Sequence, residues 1–337
     1  FTNLKKLRLN RSIGLTEAVF NTFPEEAKAS LETLSISSVT DFDLSAFTNL
    51  KTLNLAHAKG LTAEKFNALP VEVKASIETL NLEAAKYSGR LSITDFDFSG
   101  FTSLKNLDLR NIGGLTAEKF NTLPVEVKAT IEDLNLGGVS VTGFDFTGFT
   151  SLKKLDWTRE CQSLTAAVFN TLPVESKAFI EYLDLTYATV TDFDFSGFIN
   201  LKTLNLNGAK SINSGMFNAT LNQLKALTVE QFNAIDKGSI VTLGLETLDV
   251  RGYDFSKFTN LETLNLKHAK YLTSEQFNAI PIEAKGSIKH LDLSYVTVSD
   301  FDFSRFTNLK TLRLEYTFLT AEQFNSISPQ AKASIRH

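Results

Sequence analysis

Cysteine, methionine and tryptophan each occur once in this chain of 337 residues, and proline occurs six times. The single cysteine, Cys161, excludes an internal disulfide framework, so cysteine usage does not distinguish a reducing from an oxidising compartment. No apolar run approaches the ~18 residues that a membrane-spanning helix needs. We therefore expect no membrane insertion by this segment.

An excess of basic residues is also missing. Lys and Arg total 34 against 38 Asp and Glu, for a net charge of −4, and the two signs are interspersed along the chain. Nucleic-acid binding normally calls for a basic stripe. The charge pattern therefore predicts no nucleic-acid partner.

Catalytic and metal-binding patterns are absent from the sequence. There is no glycine-rich phosphate loop and no Ser–His–Asp grouping, and Cys161 has no nearby His. The stretch 95–100 resembles the first half of a calcium-binding EF-hand loop, but its closing position holds Asn106 instead of Glu. We expect no enzyme activity, no metal and no cofactor, and we expect these aspartates to cap turns.

Two sequence motifs recur along most of the chain. Seven segments related to Phe-Thr-Asn-Leu-Lys-x-Leu-x-Leu begin at Phe1, Phe47, Phe101, Phe149, Phe198, Phe258 and Phe306. A second motif, Ile-Glu-x-Leu-x-Leu, recurs between them, as at Ile77–Leu82. The two motifs define alternating long and short units of about 27 and 21 residues, a period that indicates a repeat architecture.

Leu-x-x-Leu-x-Leu in units of this length is the strand signature of leucine-rich repeats, and the chain resembles that family over essentially its whole length. The resemblance implies an α/β repeat solenoid, a horseshoe with a parallel β-sheet on the concave face and short helices and loops on the convex face. We expect a single solenoid over 1–337 with about thirteen strand repeats, an irregular insertion near 210–244 and no visible terminal caps. After the insertion we place the tenth strand motif at Leu245–Val250.

The chain departs from the family where an Asn or Cys usually follows the strand, because small apolar residues such as Ala58 and Val139 stand there. In the long unit, Thr62 is expected to cap a first short helix and Pro70 to open a second. The Phe residues that precede Asn in these units, at 20, 66, 120, 169, 277 and 324, are expected to stack into a spine.

Exposed strand positions form columns when the motifs are aligned. The second residue alternates between Lys and Glu from Lys5 to Glu246, and the fifth is mostly Asn or Asp. Neighbouring strands lie ~4.8 Å apart, so opposite charges in one column neutralise each other. We interpret both columns as structural ladders.

The eighth column differs, because its last three members are His268, Tyr295 and Tyr316. Lys267, Arg313 and Glu315 flank them, and a lesser group lies mid-array with Arg159, Tyr182 and Tyr187. Tyr and Arg clusters supply contact area of the kind found at interface hot spots. These nine residues are the predicted partner-binding site, against the alternative that they are scattered surface aromatics without a role.

The resemblance implies a non-enzymatic module that recognises a protein partner through its concave face. Such modules are typical of microbial surface proteins, secreted effectors and innate-type receptors, which favours a secreted, cell-surface or host-delivered microbial protein. Two alternatives stay open: a structural spacer whose copies self-associate end to end, and the recognition arm of a larger effector whose active domain lies outside this segment.

Overall fold

The computed structural model describes residues 3–10, 20–37, 44–58, 60–84, 93–157, 163–190, 192–209, 228–297 and 299–334. Two compact units are present. Unit 1 comprises Phe1–Glu160 with Thr171–Ser176, and unit 2 comprises Cys161–Asn170 with Lys177–His337. Each unit is a series of short parallel strands joined by loops and short helices, which is the architecture of a leucine-rich repeat solenoid.

In unit 1 the strands follow one another in chain order, each hydrogen-bonded in parallel to the next. They are β1 (Lys6–Leu9), β2 (Thr33–Ile36), β3 (Thr52–Asn54), β4 (Thr79–Asn81), β5 (Asn106–Asp108), β6 (Asp133–Asn135) and β7 (Lys154–Asp156). The helices are Glu25–Ser30, Ala63–Asn67, Val71–Ser76, Ala117–Asn121 and Val125–Thr130.

Unit 2 has the same order, with β8 (Tyr182–Asp184), β9 (Thr203–Asn205), β10 (Thr242–Gly244), β11 (Thr263–Asn265), β12 (His290–Asp292) and β13 (Thr311–Arg313). Its helices are Ala166–Phe169, Val229–Ala234, Ser274–Asn278, Ile282–Ser287 and Ala321–Ser326, followed by Pro329–Ser334. The division between the units falls within the helix Val174–Phe179.

The tenth strand corrects the sequence analysis. β10 is Thr242–Gly244, paired with Thr203–Asn205 on one side and Thr263–Asn265 on the other, so Ile240 rather than Leu245 opens the repeat. Leu245–Val250 mimics a strand motif, but Leu245 N–H donates to Asn265 O at the end of the strand and Leu248 N–H closes a turn onto Leu245 O. Glu246 therefore belongs to the seventh column, and Val241 occupies the second. The end of the predicted insertion, at Thr242–Gly244, forms a strand. The part of the insertion at 210–227 lies outside the described residues.

The core is built from the motif leucines and from clustered phenylalanine rings. Each long-unit Phe packs against rings of the short unit that follows, as Phe66 does with Phe96 at 4.4 Å and Phe101 at 5.6 Å between centroids. Corresponding clusters surround Phe120, Phe169, Phe232 and Phe277. The predicted spine is thus a series of ring clusters, and its last member, Phe324, is half exposed.

A buried lysine accompanies most of these clusters, a feature that the sequence analysis missed. Lys74 is 5% exposed, and its ammonium lies 5.9 Å from the Phe101 centroid and 3.9 Å from Asp97. In unit 2, Lys177 lies 2.7 Å from Asp194 and also donates to the Asp194 backbone carbonyl. The aspartates of the Asp-Phe-Asp-Phe segments therefore hold the lysine and, as predicted, cap a turn, since Asp97 accepts from Ser99 N–H.

The helix ends follow the sequence prediction. Thr62 accepts a hydrogen bond from Lys65 N–H at the start of Ala63–Asn67, and Thr273 with Gln276 forms a reciprocal capping box. Pro70 stands immediately before Val71–Ser76, where its missing N–H leaves no donor unpaired.

Candidate functional site

Most of the described strands end in a tight turn whose third residue has an unusual conformation; β4, which is followed by Ala84, is an exception. In the last complete repeat, Val296 N–H donates to Leu293 O and Tyr295 between them has a φ of 64°. A turn of this type requires positive φ at its third residue and normally places Gly or Asn there. This residue is the eighth position of the repeat, and the turn pairs the N–H of the ninth residue, where the family usually has Asn or Cys, with a backbone carbonyl.

All six eighth positions of unit 2 have positive φ: Tyr187, Gly208, Thr247, His268, Tyr295 and Tyr316. In unit 1 the eighth positions with positive φ are His57, Asn111 and Gly138. A residue other than Gly, Asn or Asp in this region costs about 1–2 kcal/mol. Unit 2 therefore carries aromatic rings at positions where Gly or Asn would be less strained.

Three of the predicted site residues form one continuous ring stack. The His268 and Tyr295 rings are 3.9 Å apart between centroids with an interplanar angle of 18°, and the Tyr295 and Tyr316 rings are 4.7 Å apart at 21°. Tyr295 is 41% exposed and Tyr316 80% exposed. We call these three residues the aromatic stack.

An open cleft of about 710 Å³ lies beside the aromatic stack. Its lining includes His268 and Tyr295 from the stack, the neighbouring Lys270 and Tyr271, and the hydroxyl-bearing Thr247 and Thr297. Tyr271 also has positive φ, at 60°, and the Arg251 guanidinium lies 4.3 Å from its ring centroid. We call this space the stack cleft.

Tyr271 was missed by the sequence analysis, although the repeats contain a signal for it. The corresponding residues of two earlier long units are Gly60 and Gly114, both with positive φ. A tyrosine at a glycine position is the same kind of exception as the rings of the eighth column. Alignment of the units for misplaced aromatic residues would have found it.

The charged residues predicted to flank the stack already have partners or lie in the open. Lys267 pairs with Glu246 at 3.4 Å, and Arg313 lies 3.7 Å from Asp292. Glu315 is exposed, and its backbone carbonyl accepts the Tyr295 N–H. These side chains border the stack, but Lys267 is paired within the seventh column and Arg313 within the fifth, and not with the stack itself.

The second predicted group is separate from the stack. Tyr187 is 62% exposed, and its ring lies over Gly208, where an added Cβ would be 2.5 Å from ring atoms. Tyr182 lies on β8 and donates its hydroxyl to Asp184 at 3.3 Å. Arg159 lies outside the described residues.

In unit 1, the surface formed by the side chains of the strands is dominated by paired charges. Glu78 accepts hydrogen bonds from Lys105 and Lys51, which lower the pKa of its carboxyl group. Arg110 binds Asp108 through two nitrogens, which raises the pKa of the guanidinium, and it lies 2.9 Å from Glu83. The charges of this surface largely neutralise one another.

The same surface holds a carboxyl group whose pKa is shifted upward by burial. Burial raises the pKa of Asp133, and Lys154 at 3.5 Å opposes that shift. Asp133 and Arg110 line an open cleft of about 530 Å³. Within the described ranges no group of three or more His, Cys, Asp or Glu is arranged to hold a metal ion.

Among the described residues, no histidine is hydrogen-bonded to a ring of the aromatic stack. His290 Nδ1 lies 3.2 Å from the Thr311 hydroxyl on the neighbouring strand, whereas the His268 ring is stacked on Tyr295. In the part of the chain that the structure describes, no helix has the length and apolar character that crossing a membrane requires. What the site offers is contact area and hydrogen-bond donors.

Comparison with solved structures identifies the fold. A leucine-rich repeat protein from Leptospira interrogans matches with a TM-score of 0.53 and 15% identity over 90% of this chain and 77% of that chain. TLR13 in its complex with ssRNA13 matches with a TM-score of 0.50 and 16% identity, over 91% of this chain and 53% of that chain. Toll in the Toll–Spatzle complex from Drosophila matches with a TM-score of 0.50 and 16% identity, over 88% and 46%.

These similarities establish a leucine-rich repeat fold for the chain, as its strand motifs predicted. The chain spans about half of the TLR13 and Toll chains. No family model and no curated protein sequence matches it.

Proposed function

We propose that this protein is a non-enzymatic recognition module that binds a protein partner through the aromatic stack on the strand surface of unit 2. The observation that carries the proposal is the conformation of the rings. His268, Tyr295 and Tyr316 all stand at left-handed positions, are stacked on one another and remain partly or largely exposed. Strain kept at exposed positions is characteristic of binding sites.

The stack has the composition of an interface hot spot. Tyrosine rings bring a large contact area and lose little side-chain entropy on binding, and hot spots are enriched in Tyr and Arg. Stacking holds the rings in place before a partner arrives, which lowers the entropic cost of association. The neighbouring Arg313 and Glu315 would form the polar rim.

A protein partner is favoured over nucleic acid by charge. The Toll–Spatzle complex contains a partner of a leucine-rich repeat protein, and the TLR13 complex contains an RNA, so the fold serves more than one ligand class. Here Lys267 and Arg313 beside the stack pair with Glu246 and Asp292. This leaves Lys270 as a single cation of the described cleft lining, without a stripe, and the whole chain is acidic. Phosphate binding needs unpaired cations in a stripe.

Direct pairing of β13 of this segment with β1 of a second copy of the segment is disfavoured by like charges. Pairing β13 of one copy with β1 of another in the native register would place Lys310 beside Lys5 and Arg313 beside Arg8. Like charges directly opposite each other in a sheet are destabilising. Placement at a microbial cell surface, in secretion or within a larger effector stays a prediction from the family resemblance.

The test is affinity capture from candidate host or cell extracts, followed by titration of each purified captured protein. The bait is compared with a variant in which His268, Tyr295 and Tyr316 are replaced by Asn, the residue that occupies this position as Asn111 in unit 1. We expect a partner that binds the natural protein and loses at least ten-fold in affinity for the variant. Equal affinity for both would remove the stack from the interface.

A further inference from the structure

The stack cleft has features that narrow the chemistry of its ligand. Two of its walls are aromatic, with His268 and Tyr295 from the eighth column and Tyr271 from the loop after β11. The buried side chains of Ala269 and Val296 also line it. Its volume of about 710 Å³ exceeds what a single small ion would fill and lies in the range of pockets that hold a drug-sized ligand, which has the size of a few amino-acid side chains.

Most of the ring faces that could receive a sugar are already covered. Tyr295 is stacked between His268 and Tyr316, and Arg251 covers one face of Tyr271. The stacked rings therefore offer mainly edges and hydroxyl groups to the cleft. Ring edges pack against aliphatic and proline side chains, and hydroxyl groups donate to carbonyl and carboxylate oxygens.

The charge of the cleft is positive and uncompensated. Lys270 is the charged residue of the lining, and no carboxylate among the described residues lies within ion-pair distance of its ammonium. The neighbouring acids are already engaged, since Glu246 pairs with Lys267 and Asp249 with Arg251. A ligand carboxylate would therefore meet Lys270 without an internal competitor.

We propose that the stack cleft binds an extended peptide segment of the partner in which an Asp or Glu side chain lies next to an apolar residue. The carboxylate pairs with Lys270, and the apolar side chain fills the space between Tyr271 and the Tyr295 edge. Thr247 and Thr297 supply hydroxyl groups to the peptide backbone. The inference rests on the proposed function and assigns the partner's chemistry and two further contact residues, Lys270 and Tyr271.

The experiment is selection of random dodecapeptides displayed on phage against the natural protein. Selected peptides are then synthesised with a fluorescent label and titrated by polarisation against the natural protein, Lys270→Gln and Tyr271→Gly. Glycine suits the backbone of Tyr271, as Gly60 and Gly114 show. His57→Asn, at a left-handed position of unit 1 that does not line the cleft, is the matched control, and thermal unfolding verifies that each variant folds.

We expect selected peptides enriched in Asp or Glu beside Pro, Leu, Ile or Val. Affinity should fall at least ten-fold with Lys270→Gln, with Tyr271→Gly and with Asp→Asn or Glu→Gln in the peptide, and should be unchanged with His57→Asn. No enrichment, enrichment of basic peptides, or equal binding by Lys270→Gln would overturn the proposal. Binding of chitohexaose or cellohexaose that Tyr271→Gly abolishes would assign the cleft to a glycan instead.

Failure of this inference is distinguishable from failure of the proposed function. A captured partner whose affinity depends on Tyr316 and Tyr295 but not on Lys270 or Tyr271 would leave the aromatic stack as the interface and exclude the cleft. A captured partner whose affinity is unchanged when any of these four residues is replaced would contradict both the proposed function and this inference.

Discussion

The strand surfaces of the two units contain the same backbone turn, but the turn presents different side chains in each unit. In unit 1 the described eighth positions with positive φ hold a single ring, His57, besides Asn111 and Gly138, and the surface is covered by ion pairs such as Lys153–Glu132 at 2.6 Å. In unit 2 the same turn presents Tyr187 and the aromatic stack. Gly and Asn satisfy the turn with little strain, whereas the rings do not.

This difference between the units indicates which positions of a repeat protein have a functional role. Where the local rule and the residue agree, as at Gly138, the position needs only a structural explanation. Where the residue violates the conformational rule on several neighbouring strands, we infer a role for that residue other than stability. Tyr271, at the place of a glycine, extends the disagreement from one column to a second loop position.

The largest expected effect is on binding by the middle ring of the stack. Replacing Tyr295 by Asn removes contacts to both neighbouring rings and to the cleft, and hot-spot truncations cost about 2 kcal/mol or more, or roughly 30-fold in affinity. Titration calorimetry with the captured partner measures the loss. His57→Asn in unit 1 is the control and is expected to leave affinity unchanged; a comparable loss there would abolish the contrast between the units.

A smaller effect, on stability, is expected when a side chain is added at a glycine. An added Cβ at Gly208 would lie 2.5 Å from the Tyr187 ring, and one at Gly138 would lie 2.4 Å from the Asn111 amide oxygen. Both positions have positive φ, so alanine adds a backbone cost of about 1–2 kcal/mol at each. We expect Gly208→Ala to lower the urea midpoint and to move the Tyr187 ring. Equal Tyr187 NMR shifts before and after the change would show that the ring does not depend on this glycine.

Acid should reveal the lysine–aspartate contact of unit 2. Hydrogen bonds from Lys177 and Ser196 lower the pKa of Asp194 to about 2. Because the folded-state pKa lies below the ordinary value, this stabilisation is present above pH ~4 and is lost as pH falls to about 2. After allowance for solvent screening we expect about 1 kcal/mol from it. Urea unfolding between pH 6 and pH 2 should show a weaker pH dependence for Asp194→Asn than for the natural protein.

The smallest effect is expected in the charge ladder of unit 1. Lys105 lies 3.2 Å from Glu78, and both side chains are largely solvent-accessible. Exposed pairs contribute ~0–1 kcal/mol and are screened by salt. Lys105→Ala is therefore expected to change the unfolding free energy by less than about 1 kcal/mol and to leave partner binding intact. A large loss of affinity would place part of the interface on unit 1.

Much of the architecture was predictable because it depends on side-chain type and spacing. The inward leucines, the Thr62 cap and the burial of Phe96 and Phe98 all follow from periodicity and residue chemistry. The tenth strand was misplaced because Leu245–Val250 has the spacing of a strand motif, and only pairing with β9 and β11 distinguishes it from Thr242–Gly244.

The site was predictable in part. The eighth column identified His268, Tyr295 and Tyr316, because residues at one repeat position lie side by side on neighbouring strands. Their stacking, the strain of their backbone and the approach of Tyr271 depend on dihedral angles that the pattern of leucines does not specify. The buried Lys74 was missed for a related reason, since a lysine in a polar stretch normally indicates solvent.

The central claim is that the aromatic stack is held at strained positions for binding and not for folding. The most direct test is the unfolding free energy, from urea titration, of the variant with Asn at positions 268, 295 and 316. Two lost ring contacts at about 0.5–1.5 kcal/mol each are offset by relief of about 1–2 kcal/mol of strain at each position. We predict a stability within about 1 kcal/mol of the natural protein, or higher, together with the loss of partner binding. A loss of about 3 kcal/mol or more would contradict the account, because the rings would then be needed to hold the fold.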